Sequence, residues 1–379
     1  MRRIALDYTP AIEQRGGIGR YARELTAALA QADSTSNYRL FVAGASLPRL
    51  PQPPGDNFEW RPTAVSAKWL ARLWHRARVP LPVETFTGPV DLFHATDFVL
   101  PPTLARARSL LTVHDLSFLR APEAASPPLK AYLDAVVPRS VAAADHILAD
   151  SDATKADLVD LYDTPEERIT VLYSGVHRRF QRVEDEHELE RIRAKHGLAG
   201  IDYILSVGTV QPRKNYSRVI EALARLRGAG YELHYAIAGG HGWLEDEMVR
   251  TIHRHGMGDF VHLLGFVEDR DLPALYTGAR MLAMASLYEG FGLPILEAMA
   301  CGAPVIAGNL SSLPEVAGHA ALLVDPFDAD AIVEAILLLH SDSARRLKLI
   351  EAGYEQIRAF SWERAAIQLK SIYDQMLER

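Results

Sequence analysis

At 379 residues the chain exceeds a usual single core, so two domains of roughly 150–200 residues are expected. Hydrophobic content of 48% with 23% charged residues is ordinary for a soluble globular protein, and a net charge of −7 argues against a general nucleic-acid binder. A single cysteine, Cys301, excludes an internal disulfide and any multi-cysteine metal site and is compatible with the cytoplasm. The amino terminus, MRRIALDYTP, runs straight into a strand without the apolar stretch of a signal peptide. No window approaches the ~18 apolar residues of a spanning helix, so a cytoplasmic protein, at most peripheral to the membrane, is expected.

Strand-like runs at Ile4–Tyr8, Arg39–Ala43, Val90–His94, Ser109–Val113 and His146–Ala149 alternate with longer helical patterns. The second half repeats this with strands near Tyr203–Val207, His234–Ala238, Val261–Leu264, Met281–Ala285, Pro304–Ala307 and Ala321–Val324. Alternation of this kind predicts α/β architecture with parallel sheets, and two Rossmann-like domains are the economical reading. The expected division is a first domain over 1–178, a polar linker over 179–196, and a second domain over 197–360. Such sheets bind ligands at the carboxyl ends of their strands, so a site is expected in a cleft between facing domains.

The first candidate loop is RGGIGRYARELTAAL. Gly17, Gly19 and Ala22 satisfy a dinucleotide fingerprint in its alanine-ending form, but the strand ends several residues earlier and the next one carries no terminal acid for a ribose. A loop that lets a phosphate or an acceptor approach the backbone is the preferred reading. Next, Trp69, Leu70, Leu73 and Trp74 recur at helical spacing opposite Lys68, Arg72 and Arg76. That stripe over 66–78 suits either packing on its own domain or peripheral contact with an anionic membrane.

Two histidines follow strands: His94, which fits either a cleft role or internal pairing, and His114, with Asp115 beside it. Asp150 and Asp152 superficially form a metal motif, yet Ser151 reads as a helix cap, and Asp328 and Asp330 likewise belong to a helix start, so no metal is predicted. In YILSVGTVQPRKNYSRVIEAL, Arg213 and Lys214 precede a helix, which places two cations near free backbone N–H groups, a fit to a diphosphate. Glycine-bearing loops after two later strands, with Gly239 and with Gly265 through Val267, read as cleft-edge loops.

The most informative stretch is RMLAMASLYEGFGLPILEAMACGAPVIAG, residues 280–308. Glu289 and Glu297 bracket a glycine turn and a helix expected to open at Pro294, with Glu297 in its first turn. Ionised carboxylates are pure acceptors and suit hydroxyls, whereas the helix start suits an anion. A nucleotide-sugar combines both.

This stretch closely resembles the signature of family 4 retaining glycosyltransferases, in which two Glu residues separated by seven others surround a GFGLP-like turn. The resemblance extends from the glycine loop to SWERAAIQLKSIYDQML and implies a GT-B fold, two Rossmann-like domains facing each other across a deep cleft, with the last helix, 361–379, crossing back onto the first domain. It implies that Arg213 and Lys214 bind the donor's phosphates and that His114, oriented by Asp115, contacts the donor sugar. Glu289 would hold sugar hydroxyls with the amides of Phe291, Gly292 and Leu293, Glu297 the ribose, main-chain atoms near Val267 the base, and the Gly17 loop would lie beside the diphosphate. Where family members often have Asn-Gly-Val-Asp, this chain has Ser174 and His177, so no role is carried to that loop.

The function implied is metal-independent hexose transfer from a nucleotide-sugar, with no separate cofactor, to a glycan or lipid-linked acceptor in cell-surface polysaccharide synthesis. The wording of ATDFVLPP, TVHDLSF and SVGTVQPRKN is most similar to bacterial mannosyltransferases, which makes GDP-mannose the first expectation and a UDP-hexose the second. A glycoside hydrolase using both glutamates, a nucleotide-sugar epimerase and a non-catalytic nucleotide-binding subunit are the rival readings.

Overall fold

The computed structural model describes residues 1–240, 242 and 246–378. Two compact units result, one of Met1–Leu116, Pro128–Gly175 and Trp362–Arg379, the other of Ser117–Pro127 and Val176–Ser361.

The first unit contains β1 (Arg3–Asp7), β2 (Asn37–Ala43), β3 (Phe58–Thr63), β4 (Leu92–Ala95), β5 (Arg108–Val113), β6 (His146–Ala149) and β7 (Ile169–Val171). They form one sheet in the order β3-β2-β1-β4-β5-β6-β7, and every pairing is parallel. Because helices cover both faces of such a sheet, its central strands are apolar nearly throughout, and all of β4 is buried. The strand order reverses between β1 and β4, where doubly wound sheets open a crevice at their carboxyl ends.

The second unit repeats the plan with β8 (Tyr203–Val207), β9 (His234–Ala238), β10 (Val261–Gly265), β11 (Met281–Met284), β12 (Val305–Gly308) and β13 (Ala321–Val324). Their order is β10-β9-β8-β11-β12-β13, again wholly parallel. The α/β, Rossmann-like expectation therefore holds in each unit. Sequence reading missed β3 and β7. The first carries Pro62, which only an edge strand tolerates, and the second is three residues long.

The expected boundaries need two corrections. Residues 179–196 are not a plain linker: Glu186–Lys195 is a helix capped by Asp185, and it buries Leu189 and Ile192. Its polar composition reflects the outer face of an amphipathic helix, anchored by Lys195 and His196 on the buried Asp271. Residues 117–127 belong to the second unit despite their place in the sequence, and Ala121 packs there with Tyr288.

The final helix, Trp362–Glu378, lies in the first unit. Its buried residues, among them Ala365, Leu369, Ile372, Tyr373 and Met376, recur at helical spacing. Trp362 meets Tyr21 at 6.1 Å between ring centres, and Asp374 pairs with Arg2. In the 66–78 region a helix over Ala67–Ala71 runs into a wider turn at Arg72–Arg76. Leu70 is buried, Trp74 packs on Phe41 and Phe86, and Trp69 stays 62% exposed under the Arg72 guanidinium. Among the described residues no helix is long and apolar enough to cross a membrane.

Candidate functional site

Two loops of the second unit, one after β8 and one after β11, bring three of the expected site residues together. The β8 loop leaves the strand at Gly208, whose φ of 148° strains any other residue and whose missing side chain leaves room for Lys214. A short turn follows at Pro212–Lys214, and Asn215 then donates its side-chain amide to the carbonyls of Ala285 and Pro326, at 3.0 and 2.7 Å. Arg213 Nη1 donates to the Tyr288 carbonyl at 3.0 Å and to Glu289 Oε2 at 2.5 Å, while Lys214 Nζ donates to Glu289 Oε1 at 2.7 Å.

Glu289 is thus a buried carboxylate between two cations. Burial alone would raise its pKa, but the charges of Arg213 and Lys214 and the Lys214 hydrogen bond outweigh it and hold the carboxyl at about 2. Its backbone is fixed as firmly: Glu289 N–H donates to Ser311 Oγ, and Ser312 Oγ donates to the carbonyls of Glu289 and Phe291. Sequence reasoning gave Asn215 no role, although it directly follows Arg213 and Lys214, and it missed Ser311 and Ser312, whose only signal was a polar pair ahead of Leu313-Pro314 that reads equally as a helix cap.

The turn residue Gly292 has a φ of 120° and caps the helix Leu293–Ala300. Pro294 is therefore its second residue and Glu297 its fifth, beyond the first turn expected from the sequence. Glu297 is buried and accepts from the Tyr276 hydroxyl at 2.8 Å. Phe291 is buried with its ring edge-on to Phe360, and Val267 is buried just past β10.

In the first unit His114 follows β5 and is 5% exposed. Its orienting carboxylate is Asp150, at the end of β6, and not the expected Asp115. Nδ1 lies 2.7 Å from Asp150 Oδ2, and Nε2 lies 2.9 Å from the Thr96 carbonyl. The parallel register of β5 and β6 places Val113 opposite Ala149, so the residues that follow the two strands become spatial neighbours. Asp97, on the loop after β4, accepts from Gln14 at 2.8 Å. Gln14 is fixed in turn by the glycine loop, since a Cβ on Gly19 would fall 1.8 Å from the Gln14 carbonyl oxygen. Gly17 begins the helix Gly17–Ala32 and is exposed.

His94 is fully buried, bonded to Tyr373 and Thr112 at 2.7 and 2.8 Å, and burial lowers its pKa to about 3. Internal pairing is its role. Ser151 caps the helix Asp152–Tyr162 and Asp328 caps Ala329–Ser341, as expected.

Comparison with known proteins identifies the architecture. The model of Glycosyltransferase Family 4 matches residues 15–180, and that of Glycosyl transferases group 1 matches residues 189–356. The O-antigen chain mannosyltransferase B of Escherichia coli is 32% identical over 372 residues, which cover 94% of this chain and 95% of that protein. The chain belongs to glycosyltransferase family 4.

Solved structures agree on the fold of this glycosyltransferase. Sucrose-phosphate synthase from Thermosynechococcus elongatus superposes with a TM-score of 0.77 at 22% identity, covering 100% of each chain. Anabaena HepE in complex with UDP and glucose gives 0.75 at 19% identity, covering 99% of this chain and 100% of that one. Both likenesses bear on the fold, which is of the GT-B class.

Proposed function

We propose that this glycosyltransferase moves a mannosyl group from GDP-mannose to a hydroxyl of a glycan or lipid-linked acceptor, with retention of anomeric configuration and without a metal ion. The Arg213, Glu289 and Lys214 cluster carries the reading. A leaving diphosphate needs positive charge held in place before reaction, and two cations with their chains already ordered supply it. In the reaction the bond between the anomeric carbon and the phosphate oxygen breaks. The acceptor oxygen bonds to the same face of that carbon, and its proton passes to the departing phosphate, so no protein nucleophile is required.

In this assignment Arg213 and Lys214 take the diphosphate, and Glu289 accepts from hydroxyls of the transferred sugar, supported by the amides of Phe291, Gly292 and Leu293. Glu297 serves the ribose, the backbone at Val267 the base, His114 the sugar and the Gly17 loop the phosphates. The E. coli relative, an O-antigen chain mannosyltransferase, supports mannose and a role in surface polysaccharide. A cytoplasmic location with peripheral membrane contact through 66–78 extends the reading, with Trp69 as the exposed aromatic group beside Lys68, Arg72 and Arg76.

The test is thermal stabilisation of the protein by GDP, UDP, ADP and NAD, each with and without chelator, where ligand at ~100 times its Kd adds about 2.7 kcal/mol. A GDP-selective, chelator-insensitive rise is expected. A UDP-selective rise would replace mannose by another hexose, and no rise with any nucleotide would reject the assignment.

A further inference from the structure

The surroundings of His114 set how that residue can act. A carbonyl oxygen only accepts, so the 2.9 Å contact with Thr96 requires a proton on Nε2. The other nitrogen faces a carboxylate at 2.7 Å, in a pair whose two side chains are 7% and 9% exposed. Asp150 Oδ1 is buried and has no hydrogen-bond partner among the described residues. Among the described residues, His114 is accordingly the side chain that meets the carboxylate of this buried acid.

Other groups around the ring point the same way. Asp97 acts on His114 electrostatically together with Asp150, and Asp115 acts on both of those acids. From the helix Gly17–Ala32, Tyr21 stands edge-on to the imidazole at 4.9 Å, and burial raises the pKa of its hydroxyl, which stays neutral. Phe98 stands edge-on at 5.5 Å. His94, on which the His114 charge also acts, is neutral through burial. The backbone of His114 is held as well, its carbonyl accepting from Thr154 Oγ1 at 3.3 Å.

We propose that Asp150 is a positioning residue that keeps His114 doubly protonated, so that His114 serves glycosyl transfer as a fixed positive charge and not as a proton donor or acceptor. Both N–H groups are already committed, to Thr96 and to Asp150, which leaves neither for exchange with substrate. The direction of the His114 pKa agrees: burial would lower it, but the charge and hydrogen bond of Asp150, then Asp97 and the Thr96 carbonyl, raise it to about 9. The inference rests on the proposed role of His114 in transfer, whereas its protonation state does not.

The experiment is nitrogen-15 NMR of the full chain at pH 7.5, with His114→Gln to assign the signals, combined with pH profiles of transfer. Imidazolium shifts at both His114 nitrogens are expected. A bare Nδ1, with its proton on Asp150, would overturn the proposal. For wild type, kcat is expected to stay flat from pH 6 to 8. In Asp150→Asn it should fall roughly 100-fold at pH 8 and recover toward pH 6, with both KM values within about threefold; Asp150→Glu should restore the flat profile. An Asp150→Asn loss that is the same at every pH would reduce Asp150 to a structural role and overturn the proposal, and should that variant not fold, the wild-type spectrum alone decides the charge. Imidazolium signals with no transfer from any GDP- or UDP-sugar would support the charge assignment and sink the transferase reading, so the two failures are distinguishable.

Discussion

Glu289 places one carboxylate oxygen on Arg213 and the other on Lys214, at 2.5 and 2.7 Å, so the protein's own anion offsets part of the charge of the cations assigned to the donor diphosphate. Two cations against one carboxylate leave a net positive charge for a ligand to meet. The same contacts order both long side chains in advance, which reduces what a bound diphosphate must immobilise.

Glu289→Gln removes that internal anion without changing its shape. Breaking one side of a buried ion pair costs about 3–5 kcal/mol, so a lower melting temperature is expected. Added nucleoside diphosphate should return much of the loss, because its charge takes the place of the carboxylate. Turnover should fall roughly 100-fold or more while calorimetric affinity for the nucleotide is kept or increased. Loss of nucleotide affinity would show that Glu289 binds the nucleotide itself.

Glu297 predicts the opposite pattern. A hydrogen bond to a charged group is worth about 1.5–3 kcal/mol, so Glu297→Ala should weaken nucleoside diphosphate binding roughly 10- to 100-fold. Unchanged affinity by calorimetry would remove Glu297 from the ribose. Tyr276→Phe, which deletes its hydroxyl partner, is expected to cost about 1 kcal/mol of stability in urea unfolding.

The pH dependence of stability has a different sign in each unit. The folded pKa of Glu289, about 2, lies below the 4.5 of an unperturbed glutamate, so its stabilisation is complete above pH 4.5 and is lost as pH falls toward 2. The folded pKa of His114, about 9, lies above the 6.5 of an unperturbed histidine, so its stabilisation is complete below pH 6.5 and is lost as pH rises through 9. Urea midpoints measured from pH 6 to 9 should decline in wild type and decline less in His114→Gln; identical slopes would contradict the raised pKa.

Two glycines of one loop should behave differently. Gly19→Ala pushes a methyl group into the Gln14 carbonyl and should cost at least about 1–3 kcal/mol. Gly16→Ala meets nothing within 4 Å and should stay within about 0.5 kcal/mol. Equal losses on chemical denaturation would mean that the loop is not packed on Gln14.

Tyr373→Phe leaves a nitrogen of the buried His94 without its partner. An unsatisfied buried group costs about 1–3 kcal/mol. The melting temperature should drop with no change in substrate KM, whereas an altered KM would return His94 to the active site.

What the sequence alone determined was local: apolar runs spaced by helical patterns for eleven of the thirteen strands, helix caps at Ser151 and Asp328, and the loops carrying Arg213, Lys214 and Glu289. These are properties of neighbouring residues, set by periodicity and by glycine and proline chemistry. Partnership across the chain was decided by the tertiary structure. Asp150, 36 residues from His114, displaced the adjacent Asp115 as its partner because parallel register brings the ends of β5 and β6 side by side. Glu289 met Lys214 across 75 residues for the same kind of reason, as β8 and β11 are hydrogen-bonded neighbours in their sheet. Spacing in sequence carries no record of which strands pair, and so the charge state of each site emerged only from the fold.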